Sequence, residues 1–490
     1  MFYGPFFVKK KLSLSGRQDS NLRPLAPHAS TLPGCATSRT HARIFTGRVA
    51  NVKGFYKNRL SCTKFSFYLM KLLLKQATVS DTHSPYNGLI KDILVTDGII
   101  EKIEDSIDAT DAEVVDYPGL MVSPGWVDIF SHFNDPGFEY KETLETGAAA
   151  AAAGGFTHVF VLPNTSPVIS NKSAVEYIVQ KSKTLPVRIS PLGAISKNLE
   201  GKELSEMYDM HNSGAIAFSD GLHPVQTPGL LLKALQYVKA IDAVLIQLPV
   251  DKSIAKFGLI NEGITSTRIG LPGIPAIAEE LIVSRDIELA KYTGSKLHIT
   301  GISTAKSLQL IEDAKNAGVQ VTCSVTPYHL TFCDEDLAEY DTNLKTDPPL
   351  RNRQDILALR KGVEEGKIDC IASHHLPQNW DNKTCEFEYA APGMIGLETA
   401  FGVINDLFPA MSAESLTALL STNAKKIFSI PPANIKEGSA ADLTLFEREK
   451  EYVFTINGIK SKSKNSPFIN KQLKGKVIGI INKEKVYLND

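Results

Sequence analysis

The sequence lacks three features that mark common classes of protein. It has no excess of basic residues, since 53 Lys+Arg stand against 54 Asp+Glu, and nucleic-acid binders usually show such an excess. It has no uninterrupted apolar run of about 18 residues, the length that a membrane-spanning helix needs. Its six cysteines include no CxxC pair, so neither a disulfide framework nor a thiolate zinc motif is indicated. We therefore expect a cytoplasmic protein that binds neither nucleic acid nor membrane.

The first 69 residues differ in composition from the rest of the chain. Residues 15–43 are rich in Ser, Arg, Pro and His and contain one acidic residue, Asp19. A basic, acid-poor segment is typical of a transit peptide. We favour a second interpretation, a wrongly extended reading frame, because the segment resembles peptides obtained by translating the strand opposite a stable-RNA gene. We expect residues 1–69 to be a spurious or disordered extension and Met70 to be the start.

Short apolar runs separated by turn residues occur at both ends of the remaining chain. KLLLKQATV, DILVTDGIIEKI and EVVDYPGLMVSPG follow Met70, and ADLTLFER and KVIGIINKEKVYL lie near the end. Such runs are typical of β-strands. We expect residues 70–121 and 431–490 to form one small β-sandwich.

Between them, residues 122–430 alternate β-branched runs with longer helical patterns. HVFVLPN is followed by SAVEYIVQKS, VRISPLGAI by KELSEMYDM, and KLHITGIS by AKSLQLIEDAKNAG. This alternation predicts βα units, about eight of which close a parallel barrel. The fold class is therefore α/β: a (β/α)8 TIM-type barrel with a small β-sandwich built from both terminal segments.

Catalytic groups of such barrels lie at the carboxyl ends of the strands. Residues that follow the apolar runs are therefore the site candidates, and they are Asp128, Phe130, His132, Asn164, Asp220, Gln247, Gly301 and His374. His374 is followed by His375, but neighbours on a strand point to opposite sides. We therefore do not expect the pair to bind one ion together.

PGWVDIFSHFNDPGFEYKET (124–143) resembles the opening motif of the dihydroorotases, in the cyclic-amide branch of the amidohydrolase superfamily. The resemblance continues in order through AIAFSDG, GLPGIPAIAEELIVSRDIELA, LHITGIST, DPPLR and PGMIGLETAFG. It implies metal ions that activate water and polarise an amide, held by histidine and carboxylate ligands.

The residues at the implied site differ from the family pattern. Of the metal-ligand positions, three hold residues other than histidine, namely Phe130, Gln247 and Gly301, whereas His132 and Asp220 are remnants of the set. His374 occupies the general-base position. The substrate arginine is replaced by Asn134 and the last histidine of the D-H-A-P-H motif by Gln378, whereas Asn164 is retained.

The resemblance is therefore to degenerate, non-catalytic members of the family. It implies a homo-oligomer without a cofactor that assembles with aspartate transcarbamoylase of pyrimidine biosynthesis. The alternative is an active, zinc-dependent cyclic amidohydrolase (dihydroorotase, less readily allantoinase or hydantoinase) that uses His132, Asp220 and His374. An anionic metabolite bound through Asn164 and Arg351 also stays open.

Overall fold

The computed structural model describes residues 71–489. The expectation that residues 1–69 are unstructured falls outside this range. The described chain begins with five strands: β1 (Lys71–Val79), β2 (Ile90–Thr96), β3 (Ile99–Glu104), β4 (Glu113–Val115) and β5 (Met121–Pro124).

Eight parallel strands then form the barrel sheet, each hydrogen-bonded to the next. They are β6 (Trp126–Ser131), β7 (Phe156–Val161), β8 (Arg188–Gly193), β9 (Ala217–Phe218), β10 (Leu245–Gln247), β13 (Leu297–Ile299), β14 (Val321–Val325) and β15 (Cys370–Ile371). A separate two-stranded ladder, β11 (Ile260–Asn261) with β12 (Gly273–Ile274), lies in the connection after β10. Every residue of β6 and β7 is buried, as expected for parallel strands that are covered on both faces.

The barrel closes at its carboxyl end. Ser131 bridges to His375 in parallel register, and the backbone N–H of His132 donates to the carbonyl of His375 at 2.8 Å. The first and last strands therefore meet where the sequence places the site candidates.

In the described part of the chain, twelve α-helices connect the strands or follow the barrel. They are α1 (Leu144–Ala153), α2 (Lys172–Lys181), α3 (Met207–Asn212), α4 (Pro228–Ala240), α5 (Ile264–Ile269), α6 (Ile277–Thr293), α7 (Ala305–Asn316), α8 (Pro327–Thr331), α9 (Arg353–Glu364), α10 (Ala400–Leu407), α11 (Ala413–Thr417) and α12 (Asn423–Ile427). Local signals set several starts: Thr304 caps α7 by accepting from the N–H of Ser307, which satisfies an otherwise free helix N–H. No helix within residues 71–489 is long and apolar enough to cross a membrane.

One predicted helical stretch is only partly helical. KELSEMYDM was expected to be helical throughout, but α3 starts at Met207. Leu204 instead pairs with Ser196 in an antiparallel bridge. A tertiary pairing therefore replaces the first turn of the predicted helix.

The end of the chain adds β16 (Asp442–Val453), β17 (Gln472–Asn482) and β18 (Lys485–Leu488). These strands join β1–β5 in one sheet through antiparallel pairing of β16 with β5. Leu72, Ile93, Val122, Leu443 and Ile481 are almost completely buried in the core that they share. The predicted fold class was an α/β TIM-type barrel with a small β-sandwich from both terminal segments. The barrel is confirmed, and both terminal segments do join in one sheet.

Candidate active site

The carboxyl mouth of the barrel contains two stacked rings. Phe130 lies near the end of β6 and His374 follows β15, and their ring centroids lie 4.4 Å apart with the planes 30° from parallel. Both side chains are buried. A Cβ atom on Gly301 would lie 2.5 Å from Cε1 of His374, well inside van der Waals contact. The imidazole of His374 therefore occupies the space that a side chain at position 301 would need.

Hydrogen bonds fix the His374 ring from one side. Its Nε2 lies 2.8 Å from the Thr300 hydroxyl, which accepts from Ser324 at 2.9 Å. His298 continues the chain, with its Nε2 3.0 Å from the Ser324 hydroxyl. Burial, followed by the nearby His329 and His298, holds the pKa of His374 well below its usual value. The ring is therefore neutral at pH 7.

His132 lies on the other side of the mouth and bonds to the next strand. Its Nε2 is 2.9 Å from the backbone carbonyl of Asn164, and a carbonyl oxygen only accepts. Nε2 therefore carries the proton, and Nδ1 keeps the ring's free lone pair. Burial lowers the pKa of His132 to about 4, so this ring is also neutral at pH 7.

Asp220 is buried and accepts hydrogen bonds from the loop after β8. Oδ1 accepts from the N–H groups of Ile195 and Ser196 at 2.8 and 2.9 Å, and Oδ2 accepts from the Ser196 hydroxyl at 2.5 Å. Burial raises the pKa of Asp220 to about 6, and these hydrogen bonds oppose the rise. Both carboxylate oxygens therefore already have protein partners.

Asn164 links the His132 and Asp220 sides of the mouth. Its Nδ2 donates to the carbonyl of Asp220 at 3.3 Å, and its Oδ1 accepts from the N–H of Leu222 at 3.2 Å. The side chain is 8% exposed. Its amide therefore makes contacts within the protein at both ends.

The other replaced positions also bond to backbone. Gln247 donates through Nε2 to the carbonyl of Val225 at 3.1 Å. Gln378 donates to the carbonyl of Pro392 at 3.1 Å, and Asn134 donates to that of His132 at 3.3 Å. Within the described residues, Oε1 of Gln247 and Oδ1 of Asn134 are buried without a hydrogen-bond partner. None of these three side chains carries a charge.

A family model described as "Dihydro-orotase-like" matches residues 119–307. A dihydroorotase of Syntrophus aciditrophicus is 40% identical over 414 residues, which cover 84% of this chain and 97% of that protein. A dihydroorotase of Acetivibrio thermocellus is 41% identical over 427 residues, with 85% and 100% covered. The chain belongs to the dihydroorotase family.

Solved structures show the same fold at lower sequence identity. The L-hydantoinase (dihydropyrimidinase) of Arthrobacter aurescens matches with a TM-score of 0.73 at 22% identity, covering 86% of this chain and 96% of that one. The dihydropyrimidinase of Brevibacillus agri NCHU1002 has a TM-score of 0.72 at 21% identity, with 86% and 95% covered. They support the barrel assignment and the terminal sheet.

The donor set of this dihydroorotase-family chain does not fit the metal centre that the family pattern implies. Phe130 and Gly301 offer no donor atom, and His132 has one ring nitrogen engaged with a carbonyl. Among residues 71–489, no group of three or more His, Cys, Asp or Glu side chains is placed to hold a metal ion. The family's metal-dependent chemistry therefore lacks its ligand set at this mouth.

Arg351 lies buried beside the mouth with its donors engaged. Its guanidinium donates to the Ser303 hydroxyl at 2.9 Å and to Oδ1 of Asn261 at 3.1 Å. Nη2 lies 3.6 Å from Glu279, whose carboxylate also accepts from the N–H groups of Ser303 and Thr304. An anionic metabolite at Arg351 would have to compete with Glu279.

Sequence reasoning missed a second buried group, beside the barrel closure. Nε2 of His375 lies 3.5 Å from Oε2 of Glu142, and Nδ1 accepts from the N–H of Gly396. Glu142 also accepts from Ser461, which lies 319 residues away. Burial alone would raise the pKa of Glu142, but the nearby imidazole of His375 and the hydrogen bonds from Ser461 and Thr146 lower it. The only signal was the acid of the YKET motif.

Proposed function

We propose that this chain is a non-catalytic dihydroorotase homologue of cytoplasmic pyrimidine biosynthesis that serves as a structural partner of aspartate transcarbamoylase. The observation that carries the proposal is the packing of Phe130, His374 and Gly301 in the barrel mouth. Two rings fill space there, and the glycine leaves room for one of them.

The chemistry of the family requires groups that this mouth does not supply. Hydrolysis or closure of a cyclic amide near neutral pH requires an activated water and a base. Burial and two neighbouring histidines hold the pKa of His374 well below its usual value, which makes it a weak base. Nε2 of His374 also lies at hydrogen-bond distance from Thr300. The His374 ring therefore packs against Phe130 in the mouth instead of acting as a base.

A structural role is compatible with such a mouth because protein contacts close the barrel and form the core of the terminal sheet. The barrel closes through Ser131 and His375, and the terminal sheet has its own apolar core. Large apolar side chains are also exposed, among them Ile264 at 87%, Tyr292 at 78% and Phe257 at 77%. Exposed aromatic and aliphatic side chains are common at protein interfaces, which supports a partner or a second copy of the chain.

The second candidate is an active, zinc-dependent cyclic amidohydrolase. The specific observation in its favour is the name dihydroorotase carried by relatives at 40–41% identity. It would need Nδ1 of His132, Nδ1 of His374 and a carboxylate oxygen of Asp220 to converge on one ion. Nδ1 of His374 is buried without a partner in the described part of the chain, and Nδ1 of His132 keeps a free lone pair, so two of these three atoms are available.

Zinc content separates the two candidates. We expect the full chain, produced with added zinc and measured by elemental mass spectrometry, to hold less than about one ion per ten molecules. We also expect no cyclisation of carbamoyl-aspartate with added Zn²⁺ or Mn²⁺. The positive control is the variant Phe130→His/Gln247→His/Gly301→His/His374→Asp, which restores the family residue types and should take up zinc. About one ion per wild-type chain, lost in His132→Ala, would establish the alternative.

The partner requires its own test. We expect co-expression with the aspartate transcarbamoylase of the same organism to yield one complex in size-exclusion chromatography with light scattering. The interface variant is Phe257→Ser/Ile264→Ser, which removes exposed apolar side chains without touching the mouth. Separate elution of the two proteins would reject the partner and leave the zinc result standing.

A further inference from the structure

A cavity of about 790 Å³ lies at the opposite end of the barrel from the mouth. Its barrel side is formed by the amino-terminal ends of β7 and β8, at His158 and Arg188. Its other side is formed by the terminal sheet, at Asp442 and the turn between β17 and β18. The cavity is therefore a cleft between barrel and sheet, and its volume is within the range of small-molecule sites.

The charged residues that line this cleft are mostly basic. Six are lysine or arginine and two are acidic. Asp442 is paired with Lys425 at 2.9 Å, which leaves Glu484 as the remaining acid. Five of these cations form no ion pair within residues 71–489, and they are Lys183, Arg188, Lys436, Lys483 and Lys485. Of these, Lys485 donates to the carbonyls of Lys183 and Leu185. The cleft therefore carries a net positive charge.

These cations are close enough to influence their neighbours. Burial lowers the pKa of His158, and the charges of Arg188 and Lys425 lower it further. Burial likewise lowers the pKa of Lys485. The charge of Lys483 lowers this pKa further, whereas the charge of Glu484 raises it. A cleft with an excess of one sign of charge and low-dielectric walls concentrates counter-ions of the opposite sign.

The types of residue that line the cleft indicate which class of ligand it can bind. Val187, Ile430, Pro431 and Pro432 form an apolar wall beside the cations. Lysine and arginine are the usual protein partners of phosphate groups. We propose that this cleft binds a small molecule that carries two or more phosphate groups, with its organic part against the wall at Ile430–Pro432.

The binding would join two parts of the fold. Arg188 starts a barrel strand, whereas Lys483 lies in the turn between β17 and β18 of the terminal sheet. A ligand held by both would bridge barrel and sheet, and a ligand that binds only the folded state raises the temperature of unfolding. The inference does not depend on the proposed function, because the mouth lies at the other end of β7.

The experiment is calorimetric titration of the full chain with inorganic tripolyphosphate and with ATP, in buffer of physiological ionic strength. We expect one site per chain for both probes, with ATP tighter because its organic part reaches the wall. Arg188→Gln/Lys483→Gln should weaken both at least tenfold. The charge-preserving variant Arg188→Lys/Lys483→Arg should stay within about threefold of wild type.

The matched control is Lys233→Gln/Lys291→Gln, which removes the same charge from exposed positions on α4 and α6. It should leave both affinities within about twofold of wild type. Equal weakening in the control and the cleft variant, or no saturable binding of either probe, would overturn the proposal. If Arg188→Gln/Lys483→Gln unfolds, Lys183→Gln/Lys436→Gln replaces it, because both of these lysines are exposed.

Discussion

The two ends of the barrel differ in the burial and pairing of their charged side chains. At the mouth, Asp220, Glu279 and Arg351 are buried and bonded to other protein groups. At the base, Arg188 and Lys483 are exposed, line a cavity and form no ion pair within the described chain. Buried polar groups are expensive unless they are paired, so the mouth contributes to the stability of the fold. Exposed cations are solvated, so the base can keep them free for an external anion.

The largest expected effect comes from breaking a buried pair at the mouth. Glu279→Ala leaves the guanidinium of Arg351 buried without its carboxylate, and it frees the N–H groups of Ser303 and Thr304. We expect the free energy of unfolding to fall by about 3–5 kcal/mol, measured by urea denaturation. The control Glu280→Ala, on the same helix, should cost less than about 0.5 kcal/mol. Similar losses in both variants would show that the pairing at Glu279 is not what matters.

The second expected effect tests whether the His374 ring occupies the space that a side chain at position 301 would need. Gly301→Ala places a Cβ 2.5 Å from His374 at a backbone φ of +68°. We expect a loss of about 2–4 kcal/mol from overpacking and left-handed geometry. In a His374→Ala background the same change should cost at least about 1 kcal/mol less. Strict additivity in this double-mutant cycle would contradict the packing.

The third effect is a pH dependence at Asp220. Its folded pKa of about 6 exceeds the usual 3.8, so the folded state binds the proton more tightly than the unfolded state. Its contribution to stability is therefore fully present below pH 3.8 and is lost as the pH rises through 6, by about 2–3 kcal/mol. His132, with its pKa lowered to about 4, acts in the opposite direction over the same range.

Asp220→Asn should remove the contribution of Asp220 to the pH dependence of stability and leave that of His132. Between pH 4 and 6.5 we expect the variant to gain more stability with rising pH than wild type, by about 2 kcal/mol. Urea denaturation at a series of pH values measures this difference. Parallel profiles would mean that the carboxyl group titrates alike in both states.

The smallest effect is expected at the base. Lys436→Gln removes an exposed cation that forms no ion pair among residues 71–489. We expect the free energy of unfolding to change by less than about 0.5 kcal/mol. In the same urea denaturation assay, a loss of about 2 kcal/mol or more would show that the base, like the mouth, uses its charges for folding.

Local patterns in the sequence predicted most of the fold. KLLLKQATV corresponds to β1 at Lys71–Val79, and AKSLQLIEDAKNAG contains α7 at Ala305–Asn316, which ends shortly before Gly318. Hydrophobic periodicity and capping are local properties, so they can be read from neighbouring residues. The start of α3 could not be predicted in this way, because Leu204 pairs with Ser196.

The residues of the candidate site were also accessible from the sequence, since strand ends and family motifs identify them by position. The contacts that these residues make were not accessible from the sequence. Gly301 and His374 are 73 residues apart, and only the parallel order β13, β14 and β15 brings their strand ends together. The same holds for Glu142 with Ser461 and for Arg188 with Lys483, which belong to different parts of the chain.

The sequence by itself determined the βα alternation, the family and the replaced site residues, because these depend on residue type and order. Tertiary structure decided which rings fill the mouth and which cations of the described chain remain unpaired at the base. The reason is that packing and charge pairing depend on distances between residues that are remote in the chain.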